Sequence, residues 1–103
     1  MPQSNIRRYL KHGTLPQLSA FEAVARHGNF TRAAEELFMA QSTVSVHIKK
    51  LSETIGLPLF RKTGRRTEAT AAGQQLQMAC TQIFSVLTQT EEIISEMRKR
   101  PPR

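Results

Sequence analysis

Between Phe30 and Leu51 the apolar residues follow two helical registers, separated by so few residues that only a tight turn can join them. Ala34, Leu37, Met39, Val44, Ile48 and Leu51 fall where two crossing helices bury their contact. Gln41, Ser42, Ser45, Val46 and Lys49 fall on the other side. This spacing predicts a helix-turn-helix whose second helix holds a mostly polar face outward, shaped to enter a DNA groove. Ala34 is placed at the closest approach of the two helices, where a larger side chain would push them apart.

A chain of 103 residues has room for one domain and one core. Its formal charge of +7 favours a polyanionic partner, a property shared with ribosomal and membrane-surface proteins. The distribution of charge is more informative. Residues 1–66 carry eleven Lys/Arg against four Glu, residues 67–97 carry four Glu and no Lys or Arg, and the last six residues add four basic side chains. A basic body and an acidic, apolar helix predict one surface for nucleic acid and another for a protein partner. The lone Cys80 excludes an internal disulfide, and no long apolar run marks a membrane span, so a reducing cytoplasm is the expected location. His12, His27 and His47 are scattered in a chain without Asp, which leaves no metal-ligand spacing, and no glycine-rich phosphate loop is present. A hydrolase built from Ser45, His47 and a distant Glu would require coincidence. Neither an enzyme nor a cofactor is expected.

The expected fold is mainly α: a winged helix-turn-helix with a two-stranded wing and a long C-terminal linker helix. Residues 1–14 read as a flexible basic arm, with room for a short helical turn around Ile6 to Leu10. Pro16 suits the first turn of a supporting helix in which Leu18, Phe21, Val24 and Ala25 repeat at helical spacing, and Gly28 stops it. Asn29 reads as a residue tolerant of unusual backbone angles, and Phe30 as core. A second helix is expected from about Thr31 to Leu37, and a third from Gln41 to about Ile55, where Gly56 and Pro58 end it. The segment from Leu57 to Thr70 has the pattern of two short strands around Gly64, with Arg61, Lys62, Arg65 and Arg66 at the turn. This basic hairpin is suited to lie on the DNA backbone or dip into the minor groove. Thr70 can cap a final helix from Ala71 to about Arg98, roughly 40 Å long. Along it Leu76, Cys80, Ile83, Leu87, Thr90, Ile94 and Met97 alternate steps of four and three, widened by Val86 and Ile93. Such a stripe is too long for a small domain to cover and predicts a homodimer, with Leu76, Cys80, Ile83, Leu87 and Ile94 at the interface; packing on its own domain would account for the first two turns but not readily for the rest.

Phe30-Thr-Arg-Ala-Ala-Glu-Glu-Leu37, Gln41-Ser-Thr-Val-Ser45, Ile48-Lys-Lys-Leu51, Gly56-Leu-Pro-Leu-Phe60, Arg65 and Thr70-Ala-Ala-Gly73 together resemble the N-terminal domain of LysR-type transcriptional regulators, over about residues 15 to 98. Within that family, Val24 to Leu37 and Gly56 to Phe60 look like regulators of carbon-fixation operons. The resemblance implies bacterial transcription control at double-stranded promoter DNA, an antiparallel linker-helix dimer, and tetramers of the full-length protein. It also implies a small-molecule effector bound by a C-terminal domain absent from this chain. On this reading residues 15–70 bind DNA, 71–99 form the linker helix, and 100–103 are a hinge remnant, the chain being a fragment in preference to a natural short form.

Position by position, Gln41, Ser42 and Ser45 match family residues that approach base edges, and Arg65 matches the wing arginine of the minor groove. Val46, where an Arg is frequent, can meet a thymine methyl but cannot read guanine, so the operator is expected to differ from that of close relatives. Thr31, Lys49, Lys50 and Lys62 are the phosphate candidates. Ala40 replaces a usual capping Ser or Thr, at a cost of about 1 kcal/mol. The arm before Leu15 exceeds what the family requires. The leading reading is a sequence-specific, dimeric DNA-binding domain. The alternatives are a non-specific architectural or RNA-binding protein, which the few aromatic residues disfavour, and an interaction module working through the acidic helix.

Overall fold

The computed structural model describes residues 5–10 and 13–101. A 3-10 turn, Asn5–Tyr9, precedes α1 (Thr14–His27), α2 (Phe30–Leu37), α3 (Gln41–Ile55), the antiparallel strands β1 (Phe60–Thr63) and β2 (Arg66–Ala69), and α4 (Ala71–Lys99). The expected winged helix-turn-helix is therefore formed, with its long final helix. The arm's other residues, 1–4 and 11–12, and the last two of the hinge segment lie outside the described residues.

Local chemistry sets most boundaries. α1 begins at Thr14, two residues before Pro16, and stops at Gly28, whose left-handed backbone (φ 65°) lets its N–H reach the Val24 carbonyl. Asn29 has extended backbone angles (φ −161°), contrary to the expectation of an unusual conformation, and its side chain caps α2 by accepting from the Arg32 N–H at 2.9 Å. Gly56 ends α3 at φ 86°. Gly64, at φ 63°, occupies the first of two loop positions between strands paired from Phe60↔Ala69 to Thr63↔Arg66, as a tight mirror-image hairpin turn requires. Thr70 caps α4 by accepting from the Gly73 N–H at 3.1 Å while its hydroxyl donates to the Pro58 carbonyl at 2.7 Å.

The core lies between α1, α2 and α3. Phe21, Val24, Val44, Leu51, Leu59 and Cys80 are completely covered, and Ala33 and Ala34 supply the small surface on which the helices meet. Phe60 brings the wing into this core, stacked on Phe21 at 5.1 Å and meeting the edge of Phe30 at 6.1 Å. At Gly73 a Cβ would overlap the Leu59 carbonyl oxygen, so a glycine is required where α4 crosses the start of the wing.

Cys80 corrects the expected seam on α4. It is enclosed by α1 and the core, with Sγ 3.9 Å from the Leu18 carbonyl, so it lies beneath the helix's exposed face. Burial, with a smaller contribution from Glu22, pushes its thiol up to about 11, which keeps it protonated and inert. Leu76 and Phe84 also pack against the core. Beyond Phe84 the helix is largely exposed, with Val86, Leu87, Ile93, Ile94 and Met97 among the exposed side chains.

Candidate nucleic-acid interface

The outward face of α3 follows from its inward one. With Val44, Ile48 and Leu51 buried, Gln41, Ser45 and Lys49 form one exposed row, and Ser42, Val46 and Lys50 form the next. Val46 is half-exposed, an apolar side chain amid polar ones. Ala40 takes up the extended N-cap conformation with no side-chain hydrogen bond, as its replacement of a hydroxyl residue requires. The Ala40 carbonyl receives the Thr43 and Val44 N–H groups, and the N–H groups of Gln41 and Ser42, in the first turn, have no intrahelical partner at the positive end of the helix.

Two other elements converge on this helix end. The Thr31 hydroxyl, at the start of α2, donates to Gln41 Oε1 at 3.1 Å, which holds the amide and leaves its Nε2 free to donate outward. The wing approaches from the opposite side, tied to the α1–α2 corner by the Thr67 N–H, which donates to the Gly28 carbonyl at 3.2 Å. Between them lies an open groove of about 300 Å³ lined by Thr31, Gln41, Ser45, Lys62 and Arg65, with Asn29, Phe30 and Thr67 at its floor and rim. The structure thus brings together five of the expected contact residues. Ser42, Val46, Lys49 and Lys50 continue the surface along α3 outside the groove.

Sequence reasoning missed three features. Asn29 and Thr67 take part in shaping the groove, and only the N-cap position of Asn29 carried a local signal. Arg26 is paired within the protein: it meets Glu22 one turn earlier at 2.8 Å and Glu36 across the α1–α2 turn, and His27 Nε2 reaches the same Glu36 carboxylate at 2.8 Å. Hydrogen bonds from Arg26 and then His27 hold the Glu36 carboxyl down at about 2. This cluster links the end of α1 to α2. The third is Phe38, which closes α2 in the left-handed conformation (φ 55°) with its ring 96% exposed at the turn before α3.

Residues 15–74 match the bacterial regulatory helix-turn-helix protein, lysR family. The chain belongs to the lysR family. Among curated relatives of this lysR-family chain, the HTH-type transcriptional activator CmpR of Synechocystis sp. is 45% identical over 89 residues, 86% of this chain and 29% of the relative. The RuBisCO operon transcriptional regulator of Acidithiobacillus ferrooxidans is 45% identical over 85 residues, 82% of this chain and 28% of the relative. The chain therefore spans under a third of these regulators. The BenM DBD/catB site 1 DNA complex superposes with a TM-score of 0.77 at 27% identity, covering 82% of this chain and 93% of that one. The CbnR DBD–DNA complex gives 0.71 at 26% identity, covering 81% and 95%. The relatives named are transcriptional regulators, and among the described residues no helix is long and apolar enough to cross a membrane.

Proposed function

We propose that this lysR-family chain binds double-stranded promoter DNA in a sequence-specific manner, with α3 in the major groove and the β1–β2 wing at the minor groove. The observation that carries this reading is the convergence of Gln41 and Ser45 from α3, Thr31 from α2, and Lys62 and Arg65 from the wing on one groove. Gln41, Ser42, Ser45 and Val46 meet base edges in the major groove, Gln41 Nε2 donating to an acceptor such as adenine N7 and Val46 touching a thymine methyl. Arg65 enters a narrow A·T-rich minor groove, where the negative potential is concentrated. Thr31, Lys49, Lys50 and Lys62, with the open N–H groups of α3, hold phosphates and fix the register.

The unit formed by residues 15–70 is then the DNA-binding domain and residues 71–99 the linker helix. Their exposed apolar face joins two copies, so that two α3 helices meet major grooves about 34 Å apart, or a multiple of that, on a partly palindromic site. Tetramers and effector control belong to the assembly that the family resemblance implies for a longer regulator.

Selection from a randomised DNA pool at fixed salt tests the reading directly. It should return a partly symmetric site with an A·T-rich flank, and enrichment of no sequence would leave only non-specific electrostatic binding. On the selected site, Gln41→Ala is expected to lower affinity by about 1–3 kcal/mol and to change random-DNA binding little. Equal losses on both would remove Gln41 from base readout. Arg65→Ala should weaken binding only where the flank is A·T-rich.

A further inference from the structure

The 3-10 turn Asn5–Tyr9 precedes residues 15–74, the stretch matched to the family, yet it is docked on the body: Arg8 Nη1 donates to the Thr54 carbonyl, near the end of α3, at 3.0 Å. Held there, the turn forms one wall of an apolar groove of about 750 Å³ whose other walls are the start of α1 and the proximal half of α4. Ile6, Leu10 and Leu15 on one side face Leu76 and Ile83 on the other, and Ile6, Leu10 and Leu15 are each more than half exposed. The lining is predominantly apolar, with Tyr9 and Thr14 its members that carry a hydroxyl.

We propose that this N-terminal turn is a second dimerisation element, and that the groove it completes receives the distal half of α4 from a second copy of this chain. The proposal rests on the reading of α4 as the dimer helix. Three observations select this occupant. The groove lies at one end of α4, and the exposed apolar residues Leu87, Ile93, Ile94 and Met97 lie at the other, so an antiparallel two-fold pair fills both grooves with both distal halves at once. Placing Met97 of one helix beside Leu76 of the other puts Val86 and Leu87 at the two-fold axis, where their exposed side chains meet their own counterparts.

The third observation is charge. Cys80, Phe84, Thr88, Glu91 and Ser95 succeed one another by three or four residues, so Glu91, with Glu92 beside it, lies toward the flank of α4 that nearer the N-terminus faces the body. In an antiparallel two-fold pair like flanks adjoin, which directs these carboxylates of one copy to the arm of the other, where Arg7 and Arg8 are exposed. Glu92 makes no ion pair among the described residues. Glu91 holds Arg98 at 2.8 Å in a pair more than half exposed on both sides, of a kind readily exchanged for another partner.

Sedimentation equilibrium of the full chain tests this. Ile6→Asp with Leu10→Asp should raise the dimer dissociation constant at least about tenfold while leaving far-ultraviolet circular dichroism and Tm of the monomer unchanged. Arg7→Glu should raise it about three-fold at low salt, with recovery when Glu92→Lys is added. Dimerisation unaffected by the arm variants but abolished by Leu87→Lys would overturn the role of the turn and leave the α4 dimer standing. A dimer that persists in Leu87→Lys would overturn the α4 dimer, and the proposal with it.

Discussion

In the first half of α4, Cys80 is buried and Leu76 and Phe84 are partly buried against the core, whereas in the second half Leu87, Ile94 and Met97 stand in solvent. One sequence pattern thus has two physical outcomes, decided by whether another element lies within reach. The proximal half inherits rigidity from the body and serves as its clamp. The distal half owes its helical form to local propensity and to whatever second surface covers it, since a helix gains most of its stability in proteins from packing.

The sharpest way to break this contrast is a pair of truncations on either side of it. Phe21→Ala removes a fully covered ring that stacks on Phe60, and it should lower the unfolding free energy by about 3–5 kcal/mol, read from urea denaturation. Leu87→Ala, measured at concentrations where the chain is monomeric, should change it by less than about 0.5 kcal/mol. Comparable losses from the two would mean that the distal helix is covered within its own chain.

A smaller effect is expected at the start of α4, where it crosses the wing. Gly73→Ala would gain about 1 kcal/mol in helix propensity at an open position. Here the added Cβ meets the Leu59 carbonyl oxygen, so net destabilisation of about 1–3 kcal/mol is expected from the same denaturation experiment. Stabilisation would show that α4 can slide away from the wing.

The contrast also explains how much of the molecule could be read from its sequence. The limits of α3, the Gly64 turn and the Thr70 cap are local: a stripe of Val44, Ile48 and Leu51, a glycine with positive φ and a hydroxyl three residues before an amide are visible without knowing the fold. The α4 stripe was equally visible, but the place of Cys80 on its buried side was not, because that enclosure depends on α1 folding back to bring Leu18 beside it. The groove was legible in its residues and hidden in its shape. Gln41, Ser45 and Arg65 carry recognisable chemistry, while the bonds that aim them, from Thr31 to Gln41 and from Thr67 to Gly28, join residues far apart in the chain. The docking of Arg8 on Thr54 is non-local in the same sense.

Phe38 offers a finer test within the body. A non-glycine residue at φ 55° with a fully solvated ring gains little burial in exchange for a strained backbone. Phe38→Gly should therefore stabilise the free chain by up to about 1 kcal/mol, net of the glycine's greater unfolded-state entropy. A measured loss would mean that the ring has a partner in solution, such as another protomer.

The smallest effect concerns the angle between α1 and α2. Glu36 is held down to about 2 from its ordinary value of 4.5 by Arg26 first and His27 second. A depressed carboxyl contributes stability that is fully present above its unfolded value and is lost as pH falls through the folded one, so the window here runs from 4.5 down to about 2. Glu36 and Arg26 are both more than one-third exposed, and solvent screening keeps the contribution small. Wild type and Glu36→Gln should differ in urea midpoint at pH 6, with the wild type more stable, and converge by pH 2 as the carboxylate is protonated. A difference that does not shrink with acid would assign the stabilisation to the shape of the side chain rather than to its charge, and the α1–α2 corner would then be set by packing of Ala33 and Ala34 alone.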